Sequence, residues 1–219
     1  MRSTGGDDQP RRLESPHVRR MVAADMSAVC EVIGAAFADN PSTLANVGGD
    51  TARAERVMRK AVRLAKFGRR WSHALVAERD DAIVGALNAA QWPHCQMGTM
   101  EKIKTVPSMA AIMRGALPRA FTMTSRREAH DPREPHWHIG PLGVDPDAQG
   151  QGVGASLLQA FLSTAEEAGE PAFLETDVES NIVFYQRFGF EVVESEVIVG
   201  VNTRFMWRPV ASPRLRHCG

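Results

Sequence analysis

The sequence predicts a single domain of the α+β (mixed α/β) class. Segments with the apolar period of a helix alternate with short Val/Ile/Leu-rich runs, no internal repeat occurs, and no convincing linker divides the chain. The 219 residues suffice for one sizeable core. We expect the domain to span residues 18–210, between a disordered polar tail at 1–17 and a second tail at 211–219.

The first predicted elements are a strand and two helices. The segment His17–Asp25 predicts a short strand that ends at Asp25, the N-cap of an amphipathic helix. Asn40 and Pro41 break this helix. Apolar residues at helical spacing predict a second helix over 50–67, whose basic side faces solvent.

The middle of the chain predicts a hairpin and a less regular region. Two apolar runs flank an Asp-Asp turn at 80–81, which is typical of an antiparallel hairpin. Residues 91–105 show no period, and a helical segment over 108–122 is interrupted by Pro118. A polar stretch then leads into a strand, His136–Val144.

The last third predicts a glycine loop followed by alternating elements. A helix runs from the loop to about Ala168, where Gly169 stops it. AFLET forms a short strand, and ESNIVFYQRF forms a helix that Gly189 closes. EVVESEVIV and TRFMWRPV predict a terminal antiparallel pair.

Composition and charge exclude several functional classes. Lys and Arg total 26 and Asp and Glu total 26, so neither nucleic acid nor a membrane is an expected partner. No apolar run approaches the roughly 20 residues that cross a bilayer, and no secretory signal is recognisable. Cys30, Cys95 and Cys218 match neither a disulfide framework nor a metal spacing. We therefore expect a cytoplasmic protein without a metal.

The strongest functional signal is DPDAQGQGVGASLLQAF, residues 145–161. Gly150, Gly152 and Gly154 alternate just before a helical period begins. A helix N-terminus carries unpaired N–H groups and positive partial charge, and glycines let an anion sit directly on that backbone. The pattern predicts a phosphate or pyrophosphate site, although a tight turn with close helix packing explains it too.

Two familiar phosphate loops fit less well. A nucleoside-triphosphate loop needs Gly-Lys-Ser/Thr, whereas Ala155 and Ser156 follow Gly154. The dinucleotide pattern G-x-G-x-x-A does match, and Glu175 lies where a ribose-binding acid is expected. An NAD(P)-dependent oxidoreductase is therefore one alternative. Against it, DPDAQ separates the strand from the glycines, and too few residues follow Glu175 for a doubly wound sheet.

The loop Gln149–Gly154 resembles the acetyl-coenzyme A loop of the GNAT N-acetyltransferase superfamily, Arg/Gln-x-x-Gly-x-Gly/Ala. LGVDP is similar to the strand that opens into this loop, and FYQRFGF is similar to a helix with Tyr five positions before Phe. Residues 136–191 most resemble the puromycin N-acetyltransferase branch and its bacterial relatives. The resemblance extends by element order over 18–208 and implies a central mixed, mostly antiparallel sheet flanked by helices.

The resemblance implies an enzyme that moves an acetyl group from acetyl-coenzyme A to a primary amine in a ternary complex. A small-molecule amine is the expected acceptor, and a homodimer stays open. A catalytically silent acyl-coenzyme A-binding module is a second alternative. The implied cofactor-binding residues are Leu142, Gly143, Val144, Gln149, Gly150, Gln151, Gly152, Val153, Gly154, Ala155, Ser156, Asn181 and Tyr185.

Three residues are the candidates for proton transfer. Tyr185, the single tyrosine of the chain, stands where the family places the acid that protonates the leaving thiolate. Glu175 and His138 are alternative general bases for the attacking amine. A water relay, or no dedicated base at all, is equally compatible with the sequence.

Overall fold

The computed structural model describes residues 15–64, 67, 70–96, 98–113 and 115–210, without the side chains of residues 99 and 102. The predicted tails lie almost entirely outside the described residues. The strands are β1 His17–Arg20, β2 Ser72–Arg79, β3 Ala82–Gln91, β4 Trp137–Val144, β5 Ala172–Thr176, β6 Glu191–Ile198 and β7 Val201–Arg208. The helices are α1 Met26–Ala36, α2 Pro41–Val47, α3 Thr51–Leu64, α4 Thr99–Met113, α5 Leu117–His130, α6 Val153–Ala168 and α7 Glu179–Gln186.

The described strands form one seven-stranded sheet in the order β1-β2-β3-β4-β5-β7-β6. All neighbours are antiparallel except β4 and β5, which run parallel. The mixed, mostly antiparallel sheet predicted from the sequence is thus confirmed. A doubly wound dinucleotide fold requires a mostly parallel sheet, which these strands do not form.

Local chemistry explains the elements that were predicted correctly. The β2–β3 turn places Asp80 and Asp81 at φ 50° and 61°, the mirror-image turn that matches the twist of a hairpin. Helix α6 ends at Gly169, whose φ of 65° is the left-handed cap favoured by glycine.

Helix α2 and the first part of α4 were missed, and Asp25 is the predicted N-cap by position but makes no capping hydrogen bond to α1. Asn40 caps α2 by accepting from the Thr43 N–H at 3.2 Å, so Asn-Pro starts a helix here, whereas α1 has already ended at Ala36. The region 91–105, expected to be irregular, becomes helical from the start of α4, and the polar stretch before β4 begins within α5, which ends at His130. Asp25 occupies the N-cap position of α1, but its carboxylate binds the Arg19 guanidinium at 2.7 and 2.9 Å and caps nothing there.

Alternate residues of the central strands face two helical layers. Leu75, Ala77 and Leu87 pack with the buried face of α6. Ala74 and Val76 point to the opposite side, where α1 and α3 lie. This alternation follows from the period of two in a β-strand, and it covers the central strands on both faces. None of the described helices combines the length and apolarity needed to cross a bilayer.

Candidate active site

The parallel strands β4 and β5 diverge, which opens a wedge in the middle of the sheet. They pair only from Trp137↔Ala172 to Ile139↔Leu174, after which each continues without the other. The β3–β4 register shifts between Leu87 and Ala89, so β4 bulges at this point. Beyond Ile139, the edge of β4 that faces the wedge pairs with no described strand.

A cavity of about 500 Å³ lies at this wedge. Its polar floor comes from β4, β5 and α7, and it includes His138, Glu175, Asn181 and Tyr185. One wall is apolar and comes from α3, α4, α5 and the end of α1; its residues are Phe37, Met58, Met109, Met113, Ala120 and Met123. Polar residues of α2, its cap and α5 also line the cavity, among them Asn40, Ser42, Asn46 and Arg127. The cavity therefore combines an apolar wall with polar and ionisable groups.

His138 lies between two carboxylates on the floor. Its Nδ1 is 2.7 Å from Asp131 Oδ1, and its Nε2 is 2.8 Å from Glu175 Oε2. Burial alone would lower the pKa of His138, but the charge of Glu175 and the contact with Asp131 raise it well above its usual value. Both ring nitrogens can then donate to a carboxylate at the same time.

Glu175 is held as a carboxylate at neutral pH. Burial raises its pKa, but the neighbouring His138 charge, and then Arg127, lower it below the usual value. Arg127 Nη1 lies 3.9 Å from Glu175 Oε1, while its Nη2 donates to Asp177 Oδ2 at 2.7 Å. The two residues predicted as alternative bases are therefore one hydrogen-bonded pair.

Tyr185 faces the same cavity from α7. Its side chain is 8% exposed and packs edge-on against Phe184 and Phe190, at centroid distances of 5.1 and 5.8 Å. Burial, and then the charge of Glu175, raise the pKa of the phenol above its usual value. The phenol is thus protonated at neutral pH, which is the state that a proton donor needs.

The glycine loop lies at the start of α6. Gly150 and Gly152 have φ values of 72° and 84°, which favour glycine, and a Cβ on either would meet no atom within 4 Å. Gly152 is the N-cap of α6 and has no side chain to satisfy the first helical N–H groups. Those groups, on Val153, Gly154 and Ala155, are therefore open to an anion.

The loop side chains are engaged within the protein itself. Gln149 donates to the Val144 carbonyl at 3.1 Å, Gln151 to the Asp147 carbonyl at 2.8 Å, and the Ser156 hydroxyl to the Gly152 carbonyl at 3.2 Å. These contacts fix the shape of the loop, and they leave anion contact to the backbone.

The remaining predicted cofactor residues separate into two groups. Leu142 and Asn181 line the cavity, so they face the wedge. Gly143 faces the opposite way, because a Cβ there would lie 2.7 Å from Ile33 Cδ1 of α1. The close packing of α1 on β4 explains why residue 143 is a glycine. Gly154 has only ordinary contacts, the nearest being Val144 Cγ2 at 3.5 Å.

Sequence reasoning missed Asp131, Arg127 and Asp177. Asp177 accepts from Ser42 of α2 at 2.5 Å and from Thr203 of β7 at 2.7 Å, as well as from Arg127. These partners come from distant parts of the chain, and no local spacing signals them. Asp177 directly follows the predicted strand AFLET, and this position was the one cue in the sequence to its role.

Curated relatives of the chain are acetyltransferases. The model of the acetyltransferase (GNAT) family matches residues 48–190. Mycothiol acetyltransferases of Propionibacterium freudenreichii subsp. shermanii and Saccharomonospora viridis are 38% and 41% identical over 72 and 59 residues, or 32% and 26% of this chain. The chain spans 23% and 19% of the lengths of these two relatives.

Solved acetyltransferases share the fold. A structure of histone acetyltransferase HPA2 and related acetyltransferase from Corynebacterium glutamicum has a TM-score of 0.65 at 20% identity, covering 92% of this chain and 100% of that one. Arylalkylamine N-acetyltransferase 2 from Aedes aegypti has a TM-score of 0.63 at 12% identity, covering 90% and 100%. A GNAT family acetyltransferase from Brucella melitensis, in complex with acetyl-CoA, has a TM-score of 0.50 at 20% identity, covering 90% and 89%.

These matches decide against one of the two alternatives left by the sequence. The oxidoreductase alternative is wrong, because the predicted acyltransferase family is confirmed. The finer resemblance to the puromycin N-acetyltransferase branch stays a prediction. With the family match over residues 48–190 and the divergence of β4 from β5, the chain belongs to the GNAT family of acetyltransferases.

Proposed function

We propose that the protein transfers the acetyl group of acetyl-CoA to a primary amine of a small molecule by direct attack. The observation that carries this proposal is the convergence of Tyr185 and the His138–Glu175 pair on one cavity at the β4–β5 wedge. The cavity joins a proton donor to an ionised acceptor, which are the two groups that direct transfer to an amine requires.

The backbone holds the donor substrate. The N–H groups of Val153 to Ala155 contact its pyrophosphate at the start of α6. The edge of β4 beyond Ile139 hydrogen-bonds its pantetheine arm, since that edge pairs with no described strand. Leu142 and Asn181 border the same path. This arrangement brings the thioester to the cavity beside Tyr185.

Three proton transfers accompany the reaction. Glu175 attracts the ammonium group of the acceptor and takes one proton, so the neutral amine forms a C–N bond with the thioester carbon. Tyr185 donates its proton to the sulfur as the C–S bond breaks, and the resulting tyrosinate takes the second proton that the nitrogen loses as the amide forms. A thiol has a pKa near ~8.5, so protonation assists its departure. Orientation of both substrates in one cavity supplies a further part of the rate enhancement.

The size and lining of the cavity support a small acceptor with an apolar body. The apolar wall offers no charge, and its four methionines adapt to irregular shapes. Arg127, which also lines the cavity, is paired with Asp177. The acidic group lies at the floor, so an amine enters with its nitrogen first. A volume of about 500 Å³ suits a small molecule.

A panel of amines tests this function. Release of coenzyme A thiol is followed with acetyl-CoA and arylalkylamines, aliphatic amines, polyamines, amino acids and peptide N-termini. We expect turnover with amines on apolar bodies and little with polyamines or peptides. Absence of turnover with every amine, together with tight acetyl-CoA binding in calorimetry, would instead identify a silent binding module.

A further inference from the structure

A second cluster of ionisable side chains adjoins the floor of the cavity. Cys95 lies in the turn after β3, Asp131 follows α5, and His136 and His138 lie two positions apart where β4 begins. Each offers one ligand atom, and the four atoms lie within 4.8 Å of one another. We propose that Cys95, Asp131, His136 and His138 form a binding site for Zn²⁺.

The distances to the Asp131 carboxylate are close to those around a tetrahedral ion, within a cluster whose ligand atoms all lie within 4.8 Å of one another. Cys95 Sγ is 3.3 Å from Asp131 Oδ2, and His136 Nε2 is 3.4 Å from the other oxygen, Asp131 Oδ1. Zinc bonds of about 2.0–2.3 Å at tetrahedral angles separate neighbouring ligand atoms by roughly 3.3–3.7 Å. His138 Nδ1 is 2.7 Å from Asp131 Oδ1. These two atoms must separate by roughly 0.6–1.0 Å to bind one tetrahedral ion.

His136 supplies an independent argument. The residue is fully buried, and its Nδ1 is 2.7 Å from the Glu134 carbonyl oxygen, which can only accept. Nδ1 therefore carries a hydrogen, which leaves Nε2 as the ring atom that can bind a metal ion. Nε2 is buried, makes no hydrogen bond of acceptable geometry among the described residues, and lies 3.4 Å from Asp131 Oδ1. A metal ion bound between this nitrogen, the carboxylate and the thiol satisfies it.

The surroundings orient the ligands as a metal site requires. The Glu134 carbonyl fixes the His136 ring, Glu175 accepts from His138 Nε2, and Gln96 donates to Asp131 Oδ2 at 2.8 Å. Carboxylate or carbonyl partners behind ligating histidines are typical of zinc sites. One thiolate and one carboxylate also balance the charge of a divalent ion bound by two neutral imidazoles. Zinc at this point fixes the His138 ring against Glu175 of the proposed acetyl-transfer site.

Metal titration tests the site without reference to acetyl transfer. The chelator-treated full-length protein is titrated with Zn²⁺ in a calorimeter and with Co²⁺ in a spectrophotometer. We expect one equivalent of Zn²⁺ to bind with a Kd below about 1 μM. We also expect bound Co²⁺ to show the near-ultraviolet charge-transfer band of a thiolate ligand.

Two cysteine variants make the assignment specific. Cys95→Ala should lose the cobalt band and weaken Zn²⁺ binding by about 100-fold or more. Cys30→Ala, at a buried cysteine of α1 far from the cluster, should bind both metals like the wild type. Absence of binding by the wild type, or equal binding by Cys95→Ala, overturns the proposal. If Cys95→Ala does not fold, the cobalt spectrum of the wild type decides alone.

Discussion

At the scale of single residues, the candidate site depends on how charges are distributed around one imidazole. His138 contacts Asp131 on one side and Glu175 on the other, while Arg127 approaches Glu175 from a third direction. This network keeps Glu175 ionised in a buried position, where an isolated carboxylate would take up a proton. Tyr185 lies close enough for its pKa to respond to that charge, yet stays protonated.

The role of Tyr185 is tested by Tyr185→Phe. The ring keeps its packing on Phe184 and Phe190, so we expect almost unchanged acetyl-CoA affinity and melting temperature. We expect kcat to fall by about 10²-fold, because the departing thiolate loses its proton donor. Acyl donors with a more acidic thiol should be less affected. An unchanged kcat would leave Tyr185 with a packing role.

The role of Glu175 is tested by Glu175→Gln, which keeps the shape of the side chain and removes its charge. We expect kcat/KM for the amine to fall by about 10²-fold or more, because the ammonium loses its attracting charge and its proton acceptor. The matched control is Glu179→Gln, at a side chain that is 75% exposed and paired with Arg204. Equal activities of the two variants would exclude Glu175 as the base.

At the scale of secondary structure, the glycine loop links backbone conformation to cofactor binding. Gly152 and Gly169 stand at the two ends of α6, both at positive φ and both with open space where a Cβ would lie. Alanine at either position costs about 1–2 kcal/mol of conformational strain. The two positions therefore differ chiefly in what approaches the backbone.

Alanine at these two glycines separates strain from cofactor binding. We expect Gly152→Ala and Gly169→Ala to lower the melting temperature by similar amounts. Only Gly152→Ala should weaken acetyl-CoA binding, by about tenfold or 1.4 kcal/mol, because its methyl group occupies the path of the pyrophosphate. Calorimetric titration of both variants is the measurement. Equal acetyl-CoA affinities would place the pyrophosphate elsewhere.

The elements that sequence reasoning found are those with local signals. The hairpin around Asp80, the end of α6 at Gly169 and the terminal strand pair follow from turn chemistry and short apolar runs. The prediction treated Asn40 as a helix stop, although the same pair of residues also starts α2. The prediction missed the first part of helix α4, because Pro107 lies inside the helix.

The candidate site was predictable only in part, because some of its residues carry no local sequence signal. Tyr185 and Glu175 stand in recognisable local contexts, whereas Asp131 and Arg127 reach the site through the packing of α5 across the wedge. Asp131 and Cys95 are 36 residues apart in the chain, so no spacing rule unites them. Long-range contacts of this kind depend on the tertiary fold.

At the scale of the whole molecule, one part of the sheet carries most of the buried packing and another part carries the ionisable groups of the candidate site. The α6 side of the sheet holds the largest buried cluster, which fixes the start of α6 against β4. The ends of β4 and β5 beyond their divergence carry the ionisable groups of the cavity. Stability and the candidate chemistry therefore depend on neighbouring but different parts of one sheet.

His73 links the stability of the α6 side to pH. It lies on β2 against Trp137 and Phe161, with ring centroids 6.2 and 5.9 Å away. Burial, and then the charge of Arg20, lower its pKa from 6.5 to about 4. Between these two values the unfolded chain binds the proton and the folded protein does not. His73 therefore lowers the free energy of unfolding as the pH falls from 6.5 toward 4.

Substitution of His73 isolates this contribution. His73→Phe keeps an aromatic ring against Trp137 and Phe161 and removes the titrating group. We expect the wild type to lose more of its free energy of unfolding between about pH 7 and about pH 5 than the variant does, because the variant has no proton to bind at this position in the unfolded state. Urea denaturation at a series of pH values measures the difference. Parallel curves for the two proteins would mean that His73 titrates alike in the folded and unfolded states.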